Sequence, residues 1–328
     1  MEGFKVLSYE EEKKLSVSEK KEYYISLKQY LKDSHISKLE KLYLNMCTAL
    51  NKKMVRYIID KIKGYDLTVT GQENIPNGPV IYASTHQDFN DHFNIVLSIP
   101  EHAIILNTSN VTRIFKLIMG VNGIVYVNRK DKKNRFESKM KLMKYTALGK
   151  SVVIFPEGTY NCSPNKLHLP THSGVVDMAK KMQIPIVPVI QEYSYDNILD
   201  GKNRVNRCHV QFGMPIYVNV EDDIKLKKEE LAQSFATIRY SLIEEKGLFK
   251  RKNITEEEYI NYVKTRINTW KMINVDINDE RKTIYGYDDE FYLFHHINDV
   301  AFNENNELLP TEHVKKLEKI SKTNLHKF

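Results

Sequence analysis

Several short segments of this 328-residue chain place groups able to move protons or hold anions directly after apolar, strand-like runs. In Ser84-Thr85-His86-Gln87-Asp88-Phe89-Asn90-Asp91-His92, the histidine at 86 follows the run PVIYAST at 79–85, and Asp91 falls where a following helix would begin. Five residues across a strand-to-helix turn can bring an imidazole and a carboxylate together. A carboxylate on one ring nitrogen fixes the tautomer and stabilises the imidazolium, and the other nitrogen can then take a proton. General-base help of this kind is worth about 10²–10⁴ in rate. The spacing by itself also fits a plainer account, in which Asn90 or Asp91 caps the helix and His86 is a loop residue. Asp88, His92 and His102 are alternative partners within reach.

Two further segments end in the same way. Gly123-Ile-Val-Tyr-Val-Asn-Arg129 closes a strand pattern on a guanidinium, which can hold a phosphate in a bidentate contact. Lys130, Lys132, Lys133 and Arg135 follow and add positive potential, although a solvated basic loop would read identically. Val152-Val-Ile-Phe155-Pro156-Glu157-Gly158-Thr159 ends a strand in a sharp Pro-Glu-Gly turn. That turn presents Glu157, and Gly158 permits close approach or an unusual φ/ψ. In Ile184-Pro185-Ile-Val-Pro188-Val189 the two prolines weigh against a central, fully paired strand.

The elements that must position these groups are legible as alternating patterns. Strand-like runs occupy 66–71, 79–85, 103–107, 123–128, 151–157, 184–190 and 208–213, with helix patterns at 134–149 and 172–183 between them. Consecutive apolar β-branched residues suit strands buried on both faces. The expected fold is α/β: a mainly parallel central sheet flanked by helices, with N-terminal and C-terminal helical appendages. In such sheets ligands bind beyond the carboxyl ends of the strands, where all these motifs fall. The expected division is a helical segment at 1–64, an α/β core at 65–220 and a mostly helical extension at 221–328. The extension carries helix patterns at 226–246, 255–271 and 311–322. Its His295-His296 is a weak ligand set, because adjacent histidines point to different sides of an element.

Within the first segment, 38–63 carries an apolar stripe of Leu39, Leu42, Met46, Leu50, Met54, Ile58 and Ile62 beside Lys41, Lys52, Lys53, Arg56, Lys61 and Lys63. Such a helix can lie in a membrane interface or pack on the main domain. The formal charge of +7 suits an anionic membrane, a phosphate-bearing substrate or nucleic acid. Its spread along the chain argues against nucleic acid. Cys47, Cys162 and Cys208 are scattered and suggest neither a disulfide framework nor a zinc site. The N-terminus lacks the apolar stretch of a signal peptide, and no run reaches the length of a bilayer span. The expected location is cytoplasmic and peripheral, on the cytoplasmic face of a membrane.

Taken in order, the blocks His86 to Asp91, Gly123 to Arg129, Phe155 to Thr159 and Ile184 to Val189 resemble those of the glycerolipid acyltransferase superfamily, the lysophosphatidate and glycerol-3-phosphate acyltransferases. That family shows H-x-x-x-x-D, a Gly-to-Arg block, F-P-E-G-T and an apolar segment with two prolines. The resemblance covers roughly 65–215. It implies that His86 removes the proton from an acceptor hydroxyl, that Asp91 orients it, and that Arg129, Glu157, Gly158 and Thr159 bind the acceptor. The hydroxyl would attack an acyl-CoA or acyl-carrier-protein thioester directly, with neither metal nor other cofactor. The implied partners are that donor, a lipid or glycerol-type acceptor and an anionic membrane surface. Two departures put the acceptor in doubt: Tyr160 stands where many members have Arg, and Thr171-His172-Ser173-Gly174 replaces a Lys-rich stretch. A phosphodiester lyso-lipid, a glycolipid or another alcohol is the alternative acceptor, and a non-catalytic lipid-binding protein is the alternative role.

Overall fold

The computed structural model describes residues 4–34, part of 38–57, 66–108 except 89, 123–158, 161, 167–193, 207–246, 301–302 and 308–309. Seven strands form one sheet: β1 (Asp66–Thr70), β2 (Ile81–Ser84), β3 (Ala103–Thr108), β4 (Ile124–Val127), β5 (Ser151–Ile154), β6 (Ile186–Tyr193) and β7 (Arg207–Phe212). Their order is β1-β7-β6-β2-β5-β3-β4. The strands β6, β2, β5, β3 and β4 are mutually parallel. At their centre every residue of β2, β5 and β6 is buried. This is what unbroken apolar runs such as Val152–Ile154 accomplish when helices cover both faces of a sheet.

Two features of the sheet differ from a uniformly parallel reading. β7 runs antiparallel to β6, and β1 then pairs parallel to β7, so both run against the other five. Pro188 also lies inside β6, a central strand. Ile186 exchanges both backbone hydrogen bonds with Ile216, and the β7 ladder begins only at Val189 opposite Phe212. Pro188 faces the bend between those two pairings, where no N–H is required, while its carbonyl accepts from Gly213 N at 2.8 Å. The strand is central but not fully paired at its proline.

Six labelled helices surround the sheet. α1 (Tyr9–Lys13) and α2 (Val17–Asp33) each open on a capping box, Ser8 with Glu11 and Ser16 with Glu19. α3 (Asp91–Ser98) follows β2. α4 (Lys132–Ala147) starts on Asp131, whose side chain accepts from the amides of Lys133 and Asn134. α5 (Gly174–Met182) stops at Gln183, which adopts a left-handed φ of 50°. α6 (Ile224–Lys246) matches the helix pattern at 226–246 and packs against β6 and α5. The patterns at 255–271 and 311–322, and His295-His296, lie outside the described residues.

The described residues of 38–57 are helical, but the buried face is not the expected stripe. Leu44 and Val55 are buried, whereas Leu39, Leu42 and Met46 are 78%, 56% and 51% exposed. Leu44 and Val55 therefore supply the buried contacts among the described residues here, while Leu39, Leu42 and Met46 of the expected stripe face outward. Glu40 fastens it by accepting from Tyr145 Oη at 2.6 Å. Lys53 and Arg56 are exposed.

Candidate active site

His86, Arg129 and Glu157 follow β2, β4 and β5 in the chain. Those strands are parallel, so all three residues reach the same carboxyl edge. His86 Nδ1 lies 2.7 Å from Asp91 Oδ2. The same oxygen accepts from the backbone amides of Gln87 at 2.6 Å and Asp88 at 3.0 Å. Asp91 is the first residue of α3, so its carboxylate closes the loop back on itself at the positive end of a helix. Asn90 is the N-cap by position but makes no side-chain capping bond. Asp88 instead uses its Oδ1 to accept from Asn90 N at 3.0 Å. The imidazole stacks on Phe155, centroids 4.2 Å apart, and meets His92 edge-on at 5.3 Å.

The other Asp91 oxygen accepts from the hydroxyl of Tyr193, which in turn accepts from Asn94 Nδ2 at 2.9 Å. Asn94 Nδ2 also reaches Gln191 Oε1 at 3.1 Å, and Gln191 Nε2 donates to Ser84 Oγ at 3.1 Å and to the Asp91 carbonyl at 3.2 Å. Tyr193, Gln191, Asn94 and Ser84 are all fully buried. Their separation in sequence from Asp91, about a hundred positions for Tyr193 and Gln191, left no local pattern to announce them.

Arg129 is exposed on the turn after β4, with its guanidinium directed at Gly158. A Cβ built on Gly158 would stand 3.3 Å from Arg129 Nη1 and 3.1 Å from the His172 ring, and the residue has a φ of +72°. The left-handed backbone favours glycine there, and a side chain would also press on both groups. Glu157 is 4% exposed, and neither of its oxygens makes a hydrogen bond of ordinary geometry. The backbone amides of Leu169 and His86 nonetheless face it closely enough to favour its ionised form. His172, flagged in the sequence as a departure, is thereby a neighbour of Arg129. Thr159 and Tyr160 lie outside the described residues.

Burial, then the positive charge of Arg129, pull the His86 imidazole below its usual range, and Asp88 opposes them. Burial pushes the Asp91 carboxyl upward, against hydrogen bonds from Tyr193 and the amides of Asp88 and Gln87. Burial also holds Glu157 well above the ordinary carboxylate range, with Arg239 pulling the other way. An imidazole that resists protonation keeps its second nitrogen unprotonated at neutral pH, the form able to accept a proton.

The α/β sheet thus carries a buried, carboxylate-held imidazole at the same edge as a guanidinium. Residues 66–192 match the Acyltransferase family model. The chain is 27% identical over 188 residues to the 1-acyl-sn-glycerol-3-phosphate acyltransferase of Borreliella burgdorferi, covering 56% of this chain and 72% of that protein. It is 24% identical over 157 residues to the enzyme of the same name from Saccharomyces cerevisiae, covering 44% of this chain and 52% of the relative. With a protein so named from Chlamydomonas reinhardtii it shares 29% identity over 128 residues, 38% of each chain. This chain thus spans about half or less of the yeast and algal relatives. The solved 1-acyl-sn-glycerophosphate acyltransferase of Thermotoga maritima superimposes with a TM-score of 0.44 and 20% identity, over 68% of this chain and 89% of that one. Over residues 66–192 the chain is thus similar to acyltransferases, both by that family model and by these relatives.

Proposed function

We propose that this protein transfers a fatty acyl group from an acyl-CoA or acyl-carrier-protein thioester to the free hydroxyl of lysophosphatidate, with glycerol 3-phosphate as the smaller related acceptor. The observation that carries the reading is the 2.7 Å contact between the buried His86 Nδ1 and Asp91 Oδ2, with Arg129 close enough to act on the imidazole. With Nδ1–H donated to Asp91, the lone pair sits on Nε2, which takes the hydroxyl proton as the oxygen attacks the thioester carbonyl. Asp91 stabilises the imidazolium so formed. The tetrahedral intermediate collapses to the ester, and the departing thiolate recovers the proton. No step calls for a metal or another cofactor. Arg129 supplies the cation for the phosphate, and Glu157 and Gly158 frame the acceptor beside it. The relatives' names, all for enzymes acting on 1-acyl-sn-glycerol 3-phosphate, support this acceptor over a glycolipid or neutral alcohol.

The lipid acceptor would be met at an anionic membrane on its cytoplasmic face, by peripheral contact. Exposed Leu39, Leu42 and Met46 near exposed Lys53 and Arg56 support that. No helix among the described residues is long and apolar enough to cross a membrane.

The test is kcat/KM for lysophosphatidate against neutral and zwitterionic lyso-lipids, with labelled acyl-CoA as donor and products read by mass spectrometry. Preference for lysophosphatidate is expected. A wild-type protein that acylates only uncharged acceptors would sink the phosphate reading while leaving acyl transfer in place.

A further inference from the structure

Arg239 is among the most deeply buried side chains described, 1% exposed, and it lies on α6, beyond the end of the family match at 192. Each nitrogen of its guanidinium enters a different segment. Nε donates to Glu192 Oε2 on β6 at 2.6 Å, Nη1 to the Leu167 carbonyl at 3.1 Å, and Nη2 to Gln87 Oε1 at 3.3 Å. The Gln87 amide nitrogen donates to the Gln191 carbonyl and to Glu192 Oε2, so that side chain is clamped from both ends. Gln87 is also the residue whose backbone N–H holds Asp91 Oδ2, and it adjoins His86. Turning its side chain out of the clamp would move that amide.

An ion pair built for stability alone would engage both oxygens of the acid. Here Glu192 Oε1 is buried without a hydrogen bond, while two guanidinium nitrogens are directed to the loops instead. A buried pair with unsatisfied oxygen contributes little net stability and is often replaceable by apolar residues. The planar fork, by contrast, reaches three segments at once, as no lysine can.

We propose that Arg239 is a positioning residue for the His86–Asp91 pair, acting through Gln87, so that the helix following the family domain is a built part of its active site. The Leu167 contact extends the same hold to the loop whose Leu169 amide faces Glu157. The inference rests on the acyl-transfer reading for its kinetic arm and not for its spectroscopic one.

The experiment compares the full chain with R239K, Q87M and the double variant. Turnover is measured with lysophosphatidate and acyl-CoA, and the low-field proton resonance of the His86 Nδ1–H hydrogen bond by NMR. R239K keeps the charge beside Glu192 and loses the fork. Q87M keeps both charges and the Arg239–Glu192 contact, removes the amide's bonds to each and conserves volume, so it remains informative if R239K folds poorly. Each is expected to lower kcat about 10–10²-fold, the scale of a small misplacement, with KM for lysophosphatidate changed by less than about threefold. The double variant should lose no more than the worse single, because both break one chain of contacts. Both singles should broaden or shift the low-field resonance. Unchanged kcat in Q87M, losses that multiply in the double, or an unaltered resonance would each overturn the proposal. A wild-type protein without acyl transfer would refute the functional reading separately, and the resonance would still decide the role of Arg239.

Discussion

The two sides of the catalytic edge are built on opposite principles. Around Asp91 the side chains of Tyr193, Asn94, Gln191 and Gln87 are buried and joined in one hydrogen-bonded network. Around Arg129 the turn 128–135 is mostly exposed, with Lys130, Lys132 and Lys133 in solvent. The first arrangement fixes a geometry; the second supplies a potential. Buried hydrogen bonds in low dielectric are strong and unforgiving, whereas exposed charges are screened within about 8–10 Å. Proton transfer should thus depend on single atoms of the buried side, and acceptor capture on the summed charge of the exposed side.

The comparison is broken most directly at His86. His86→Ala should lower kcat by at least about 10²-fold while melting within a few degrees of wild type. Asp91→Asn should be similarly impaired, since an amide can stabilise the wrong tautomer. Substantial turnover in either variant would show that the buried side is not the chemical one. Tyr193→Phe removes one hydroxyl that donates to Asp91 and accepts from Asn94. A roughly tenfold fall in kcat is expected, the equivalent of one hydrogen bond to a charged group. Full activity in that variant would reduce the Tyr193 contact to packing.

Arg129→Ala sharpens the contrast because it touches both sides. Selective loss of lysophosphatidate preference, about tenfold in kcat/KM, is expected for one charge-assisted contact. An unchanged preference would make Arg129 structural. It should also alter the pH profile. In the proposed mechanism the neutral imidazole is the active form, and it persists above the His86 pKa. Burial and Arg129 lower that pKa, so the imidazole itself should add no acid limb near 6.5, and any loss as pH falls toward 6 would report protonation of the raised Asp91 carboxyl. Removing the guanidinium should move the acid limb upward, and a limb that stayed put would show that burial alone sets it. The smallest effect belongs to the exposed lysines: Lys133→Glu should change kcat/KM by less than about threefold, and only at low salt. A large, salt-insensitive loss there would place Lys133 in direct contact with substrate.

What the sequence disclosed follows the same division. All seven strand runs became strands, and in β2, β5 and β6 the continuous apolar residues mark burial locally. The His86–Asp91 pair was legible because its members are five residues apart and follow a strand. The reversal of β1 and β7 was not, since pairing direction leaves no trace in an apolar run. Arg239 sits among the lysines and glutamates of α6 and looks there like any solvated cation. Only the tertiary meeting with Glu192 and Gln87 buries it. The stripe at Leu39, Leu42 and Met46 was correctly periodic, yet periodicity fixes which residues share a face and not which face docks.

The reversed pairing also bears on where this domain can be cut. The family match opens with β1 and closes within β6, but β1's neighbour is β7, which lies beyond it. Thr70 on β1 bonds through its hydroxyl to His209 on β7, 139 positions away. A fragment trimmed to 66–192 would therefore carry two orphaned edges, one on β1 and one on β6, each offering unpaired amides to any passing strand. Such a fragment should aggregate on expression, whereas one extended through α6 closes both edges and should remain monodisperse by light scattering.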